Sequence, residues 1–152
     1  RLTSHEPHAV FYLDLAAFKQ VNDSRGHAAG DRLLRMVADR LKALLKPDDV
    51  VARIGGDEFV VMTRSPDRKS SVHFADSVIP ALSLPYDLGD GVPVAISGSV
   101  GIALIPEHGT ATEDVLAAAD AALYVAKSLG KGRCAVAVEK VDPAAPWALR
   151  SA

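Results

Sequence analysis

Two acids follow a pair of glycines in the run Val50-Val51-Ala52-Arg53-Ile54-Gly55-Gly56-Asp57-Glu58-Phe59-Val60-Val61-Met62. The apolar, β-branched stretches on either side read as the arms of a hairpin, and the glycines as a tight turn that needs positive φ. A hairpin requires only the glycines. Adjacent carboxylates at its tip, beside backbone that carries no side chain, suit a divalent cation and the phosphates it carries. A solvated turn explains the same residues equally well, because Asp is common in turns for its own local hydrogen bonding. A third acid bears on the choice. Asp14 interrupts the apolar run Val10-Phe11-Tyr12-Leu13-Asp14-Leu15, which reads as a buried strand. An ionised carboxylate there is costly unless paired or bound to a cation, so Asp14 is expected at the strand end, facing a site. If that end meets the hairpin tip, Asp14, Asp57 and Glu58 with the Leu15 carbonyl make an oxygen-only nest of the kind that holds Mg²⁺.

The remaining chain has to position these groups. A short helical turn is expected at Phe18–Asn22, then a loop, then a helix from near Asp31 to Leu45 with Leu33, Val37, Leu41 and Leu44 on one stripe and Pro47 after it. Asp31 reads as its N-cap. Val72, Ala75 and Ile79 mark a second amphipathic helix stopped near Pro80. Val92–Leu104 reads as one long strand, or two broken at Gly98. Thr110-x-x-Glu113 resembles a capping box for a third long helix carrying Val115, Leu116, Ala119, Leu123 and Ala126, with Gly130 as its stop. Cys134–Val138 is the last expected strand. Helices interleaved with strands, and a hairpin among them, predict an α/β (α+β) sandwich with a mixed, largely antiparallel sheet.

Composition narrows the class. The 152 residues are 49% hydrophobic, enough for one domain with a real core. A net charge of −2 supplies no general field for nucleic acid or an anionic membrane, and no apolar stretch reaches membrane-spanning length. The single cysteine, Cys134, excludes an intrachain disulfide and fits a reducing, cytoplasmic compartment. Its apolar surroundings predict a buried core thiol. The chain opens on Arg1 and ends with the linker-like Asp142-Pro143-Ala144-Ala145-Pro146, so residues 1–141 are expected to form one domain of a longer protein and 142–152 a tail.

Arg53-Ile54-Gly55-Gly56-Asp57-Glu58-Phe59 resembles the signature of the GGDEF family, the diguanylate cyclases. So do Asp14-Leu15-x-x-Phe18-Lys19-x-x-Asn22-Asp23, Gly26-His27-x-x-Gly30-Asp31, Ser97-x-Ser99-x-Gly101-Ile102-Ala103 and Ala119-Asp120-x-x-Leu123-Tyr124-x-Ala126-Lys127. These blocks come in family order across about residues 10 to 138. The resemblance implies a ferredoxin-like core similar to the palm of nucleotidyl cyclases. It implies a metal-dependent reaction joining two GTP into cyclic di-GMP with release of pyrophosphate, between two domains of a homodimer. It assigns Mg²⁺ or Mn²⁺ to Asp14, the Leu15 carbonyl, Asp57 and Glu58. Asp57 and Glu58 take the catalytic roles, Glu58 assisting the metal or orienting the attacking hydroxyl. Phe18 and Lys19 would meet the phosphates, Asn22 and Asp31 the guanine. Gly55 and Gly56 would admit the nucleotide, and Lys127 and Lys131 would clamp the triphosphate.

Departures from the pattern are equally specific. Ala16 stands where many relatives carry a second acid, and Lys131 where an Arg is usual. Nothing in Arg1–Ala9 matches the helix signature usual ahead of the first strand, so the domain is expected to be cut at its N-terminal edge. The family's product-inhibition motif, Arg-x-x-Asp, is degenerate here as Lys46-Pro47-Asp48-Asp49, and a lysine lacks the planar fork of Arg. Two functions follow: a working cyclase, or a GTP-binding module that regulates an attached domain such as a cyclic di-GMP phosphodiesterase.

Overall fold

The computed structural model describes residues 6–65 and 67–138. The linker-like tail and both outer domain boundaries expected above lie outside them. In chain order the elements are β1 (His8–Ala16), α1 (Phe18–Arg25), α2 (His27–Leu44), β2 (Val50–Arg53), β3 (Glu58–Arg64), α3 (Arg68–Ser83), β4 (Ser97–Ile105), α4 (Thr112–Ser128) and β5 (Cys134–Val136). The five strands form one sheet in the order β2-β3-β1-β4-β5. All pairings are antiparallel except β4 with β5. The expected mixed, mostly antiparallel α/β architecture is the one found.

Strand alternation sorts the chemistry from the core. Ala9, Phe11, Leu13 and Leu15 of β1 face α1, α2 and α3, whose buried Phe18, Leu33, Val37, Leu41, Ala75 and Leu82 complete the larger core. Val10, Tyr12 and Asp14 face the opposite side, where α4 lays Val115, Ala119 and Ala122 over Val10, Ala103 and Ile105. Asp14 therefore sits on the α4 face. Helix α4 covers only part of that face: between it and the β2–β3 hairpin runs an apolar groove of about 340 Å³ lined by Val10, Ile54, Val60, Met62 and Leu116 among others.

Gly101 sets how closely α4 approaches. A Cβ there would lie 2.1 Å from the Ala119 carbonyl oxygen and 2.3 Å from the Leu123 nitrogen, so helix backbone rests directly on strand backbone. On the other face Arg40 staples α2 to the end of α3, donating to the carbonyls of Ala81, Leu84 and Pro85 at 3.0, 2.7 and 2.6 Å while its guanidinium stacks 3.5 Å from the Tyr86 ring.

Several expected boundaries move. Helix α2 begins at His27 after Gly26, so Asp31 lies inside it and is no N-cap. Leu44 is 37% exposed, and Leu34 joins the buried stripe instead. Pro80 lies within α3, which runs on to Ser83 because Val78, Ile79 and Leu82 bury against the sheet. That burial outweighs the one backbone bond a proline removes. The Thr110 capping box does not form; Ala111 is the N-cap of α4 and makes no side-chain bond. Residues 92–96 make only an isolated bridge, Val94 with Tyr86, before β4 starts at Ser97. Cys134 is half-buried rather than sealed in the core, its thiol 3.6 Å from Asp76 Oδ1.

Gly101→Ala is expected to cost about 3 kcal/mol of stability, since neither backbone can yield to the new methyl group. Urea unfolding of the two chains measures this, and an unchanged midpoint would mean that α4 can ride outward freely.

Candidate active site

The hairpin tip is stitched to the end of β1. Leu15 N–H donates to the Asp57 carbonyl at 3.0 Å, and the turn is closed by Ile54 N–H on the Glu58 carbonyl at 3.0 Å. In the β1–β3 register Asp14 lies opposite Glu58. Arg53 curls back over the turn, its Nε donating to the carbonyls of Gly55 at 2.9 Å and Gly56 at 3.2 Å. Neither Gly55 nor Gly56 has the positive φ expected of them. Their value is spatial. A Cβ on Gly55 would press on Glu58 Oε1 at 3.0 Å, and one on Gly56 would point into open space.

The expected nest of three acids does not form: among the described residues no three acids are grouped to hold a metal. Asp57 is held above the usual carboxylate range, first by burial and then by the Asp14 charge beside it. Lys127, on the last turn of α4, offsets this by forming an ion pair with Asp14 Oδ2. The Asp14 side chain is 13% exposed and that of Lys127 50%, so the pair stands at the mouth of the site. The ammonium is pushed above its ordinary pKa by its hydrogen bond to Asp14, reinforced by the charges of Asp14, Asp57 and Glu58. Lys127 and Asp14 line a cleft of about 300 Å³ with Leu15, Ala16, Ser99, Gly130 and Lys131.

Glu58 looks elsewhere. Its Oε1 accepts from the Tyr12 hydroxyl at 3.4 Å. Tyr12 stands two residues before Asp14 on the same strand face, and period-two alternation marks it as a neighbour of the acids; the sequence reading passed over it. Burial, then the Glu58 charge, raises the Tyr12 pKa.

Asn22 and Asp31, the residues expected to meet the guanine, lie on α1 and α2. Ala17 adopts a left-handed conformation, φ 72°, to turn the chain from β1 into α1. The first-turn amides of α1, on Phe18 and Lys19, have no helical acceptor by geometry. The Phe18 side chain is core, and Lys19 is exposed. Asn22 packs against Gly30 so closely that a Cβ there would fall 1.8 Å from Asn22 Oδ1, which is buried without a donor among the described residues. This contact brings Asn22 beside the start of α2, where Asp31 lines a separate cleft of about 340 Å³ with Leu34, Arg35, Ala38, Arg53 and Phe59. Sequence spacing does not reveal the Asn22–Gly30 contact, because it joins two different helices. Lys46 and Asp49 lie apart from all of these: Lys46 N–H donates to Asp49 Oδ2 at 2.9 Å, closing the turn after α2, in a cleft that also holds Arg64 and Ser70.

The family profile described as "Diguanylate cyclase, GGDEF domain" matches residues 1–133. The chain belongs to the GGDEF family. This GGDEF domain is 41% identical over 125 residues to the diguanylate cyclase TpbB of Pseudomonas aeruginosa, covering 82% of this chain and 29% of that protein. It is 43% identical over 127 residues to the cyclic di-GMP phosphodiesterase PdeR of Escherichia coli, covering 84% of this chain and 19% of PdeR. The GGDEF domain of TpbB superposes with a TM-score of 0.83 at 39% identity, over 89% of this chain and 84% of that one. The GGDEF domain of DgcB from Caulobacter crescentus, solved in complex with c-di-GMP, gives 0.76 at 28% identity, over 86% and 78%. The chain thus spans less than a third of TpbB or PdeR.

The raised Asp57 pKa carries a stability consequence. Folding favours the protonated form, so the stability this group contributes is full below the unfolded Asp pKa of about 3.9 and lost as pH rises through the higher folded value. In metal-free buffer at pH 7, Asp57→Asn is expected to raise the melting temperature by roughly 2–4 °C, with the gain vanishing near pH 3.5. A lower melting temperature at pH 7 would contradict the crowding of these acids.

Proposed function

We propose that this GGDEF domain is a diguanylate cyclase, joining two GTP into cyclic di-GMP with release of two pyrophosphates, as a homodimer in which each domain holds one nucleotide. The observation that carries the reading is the meeting of Asp14 and Asp57 with the Lys127 ammonium on Asp14, beside the cleft that also holds Lys131. Two neighbouring carboxylates, one of them in a cleft lined by lysines, suit a divalent ion that also binds phosphate. Mg²⁺ is held by one or two carboxylates plus substrate phosphates rather than by an all-protein cage. Asp14 and Asp57, where the end of β1 meets the hairpin tip, supply the carboxylates of that pattern.

In this reading Asp14, Asp57 and the Leu15 carbonyl hold Mg²⁺ or Mn²⁺. When bound, the ion neutralises charge on the phosphates and favours ionisation of the attacking hydroxyl. The rest belongs to the chain. Glu58, held by Tyr12, orients the ribose and its 3′-hydroxyl. Gly55 and Gly56 let the nucleotide approach backbone. The first-turn amides of Phe18 and Lys19, with Lys127 and Lys131, take the triphosphate. Asp31 accepts from the guanine N1–H and amino group while Asn22 meets its remaining polar edge, a donor pattern that adenine lacks.

A second reading has its own support, because PdeR, a relative at 43% identity, is a phosphodiesterase rather than a cyclase. The alternative is a GTP-holding module that regulates an attached domain. Incubation with GTP and Mg²⁺ or Mn²⁺, followed by chromatography for cyclic di-GMP, separates the two. We expect product, and at least a hundredfold loss in Asp14→Asn and Asp57→Asn. GTP binding without product would leave only the module.

Product inhibition through Lys46 and Asp49 is expected to be weak. A single ammonium replaces the bidentate guanidinium, and the Asp49 carboxylate is already engaged by Lys46 N–H. Lys46→Arg should tighten cyclic di-GMP binding by roughly tenfold in calorimetric titration. Submicromolar binding by the unaltered chain that disappears in Asp49→Ala would reverse this expectation.

A further inference from the structure

We infer that Lys127 is an exchangeable counter-ion that makes divalent-cation binding and nucleotide binding depend on each other. The inference rests on the reading that Asp14 and Asp57 hold the ion, and it adds what Lys127 does before the ion arrives.

Four observations lead to it. The ammonium already sits on Asp14 Oδ2, the carboxylate that a metal ion would need. Asp57, the other acid assigned to the ion, is seated beside the end of β1 by its carbonyl, which accepts from Leu15 N–H at 3.0 Å. Glu58 has its Oε1 engaged by Tyr12 and packed against Gly55. Finally, no arrangement of three or more acids or other ligating side chains ready for a metal exists among the described residues. The protein alone therefore offers a divalent ion one carboxylate already paired with an ammonium and another turned aside toward a phenol.

An ion can enter only by displacing Lys127 from Asp14. The displaced ammonium keeps its seat on α4 and faces the cleft shared with Gly130 and Lys131, where its flexible four-carbon stem lets it reach an anion. A triphosphate arriving with the metal supplies that anion and the missing oxygen ligands together. Metal without nucleotide has to expel a cation into water, and nucleotide without metal meets a lysine committed to Asp14. Each ligand thus raises the affinity for the other, as reciprocal coupling requires. Ala16 sharpens the effect, because it supplies no further acid to which the ion or the lysine could turn.

The test is Mn²⁺ binding to the 152-residue chain, followed by electron paramagnetic resonance, without nucleotide and then with a non-hydrolysable GTP analogue. Without nucleotide, Lys127→Met is expected to bind Mn²⁺ roughly two- to fivefold more tightly than the unaltered chain, the range that a partly exposed ion pair accounts for. Lys127→Arg keeps the pair and should bind as weakly as the unaltered chain. Lys131→Met removes a charge from the same cleft without touching Asp14, and should shift Mn²⁺ affinity less than Lys127→Met does. With the analogue present, the gain in Mn²⁺ affinity should be large in the unaltered chain and smaller in Lys127→Met. Equal nucleotide-free affinity in Lys127→Met and the unaltered chain would overturn the inference. So would an equal gain in Lys131→Met, which would reduce the effect to general charge. None of these readings needs turnover, so a chain that makes no cyclic di-GMP but shows this pattern loses the proposed activity and keeps the exchange.

Discussion

Like charges at close quarters are the constraint from which the rest of this structure follows. Asp14, Asp57 and Glu58 come together because β1 pairs with β3 and the hairpin tip is tied to Leu15. Such a cluster stands only if something answers its charge. Burial of one acid, a phenol on another and an ammonium on the third share that task. The ammonium is the demanding part, because it must arrive from a different element at the right height above the sheet. Gly101 meets that demand: the helix backbone settles on the strand at Ala119 and Leu123, and one turn later Lys127 meets Asp14. A residue without a side chain, buried in the middle of β4, thereby governs electrostatics at the end of β1.

Features written in short-range pattern were legible beforehand. The apolar run broken by Asp14, the hairpin around Gly55-Gly56 and the stripe on α4 all emerged where alternation and helical spacing put them, and the order of motifs identified the family. What escaped is what depends on contacts between distant segments. Pro80 reads as a stop until the burial of Ile79 before it and Leu82 beyond it is seen. Asp31 reads as a cap until Gly26 is found four residues short of Gly30, starting α2 early. The glycines of the hairpin read as a φ requirement, whereas neither has positive φ and only Gly55 lies close to another side chain, that of Glu58. Asn22 and Gly30 form a matched pair that no single-helix pattern announces.

Relatives at similar identity carry opposite activities in their names, TpbB a cyclase and PdeR a phosphodiesterase of the same second messenger. Overall likeness therefore says little about turnover, and the weight falls on individual side chains. In this chain the acids, the Asn22–Gly30 pair and Lys127 are all in place, while Ala16, Lys46 and Lys131 depart from common usage. Lys46 and Lys131 are exposed, where charge is screened, whereas Ala16 is half-buried on β1 in the cleft with Asp14.

Strand β1 is hydrogen-bonded on both sides, to β3 along His8–Asp14 and to β4 along His8–Ala16. Its amides can open to solvent only when the sheet itself comes apart, so they belong to the slowest-exchanging part of the protein. The acid at its end is thus mounted on the least mobile backbone available. The turn at 54–57 is tied to that backbone as well, by Leu15 N–H on the Asp57 carbonyl and Ile54 N–H on the Glu58 carbonyl. The backbone that spaces the acids therefore lasts as long as the sheet does, and their arrangement is lost only when the sheet opens.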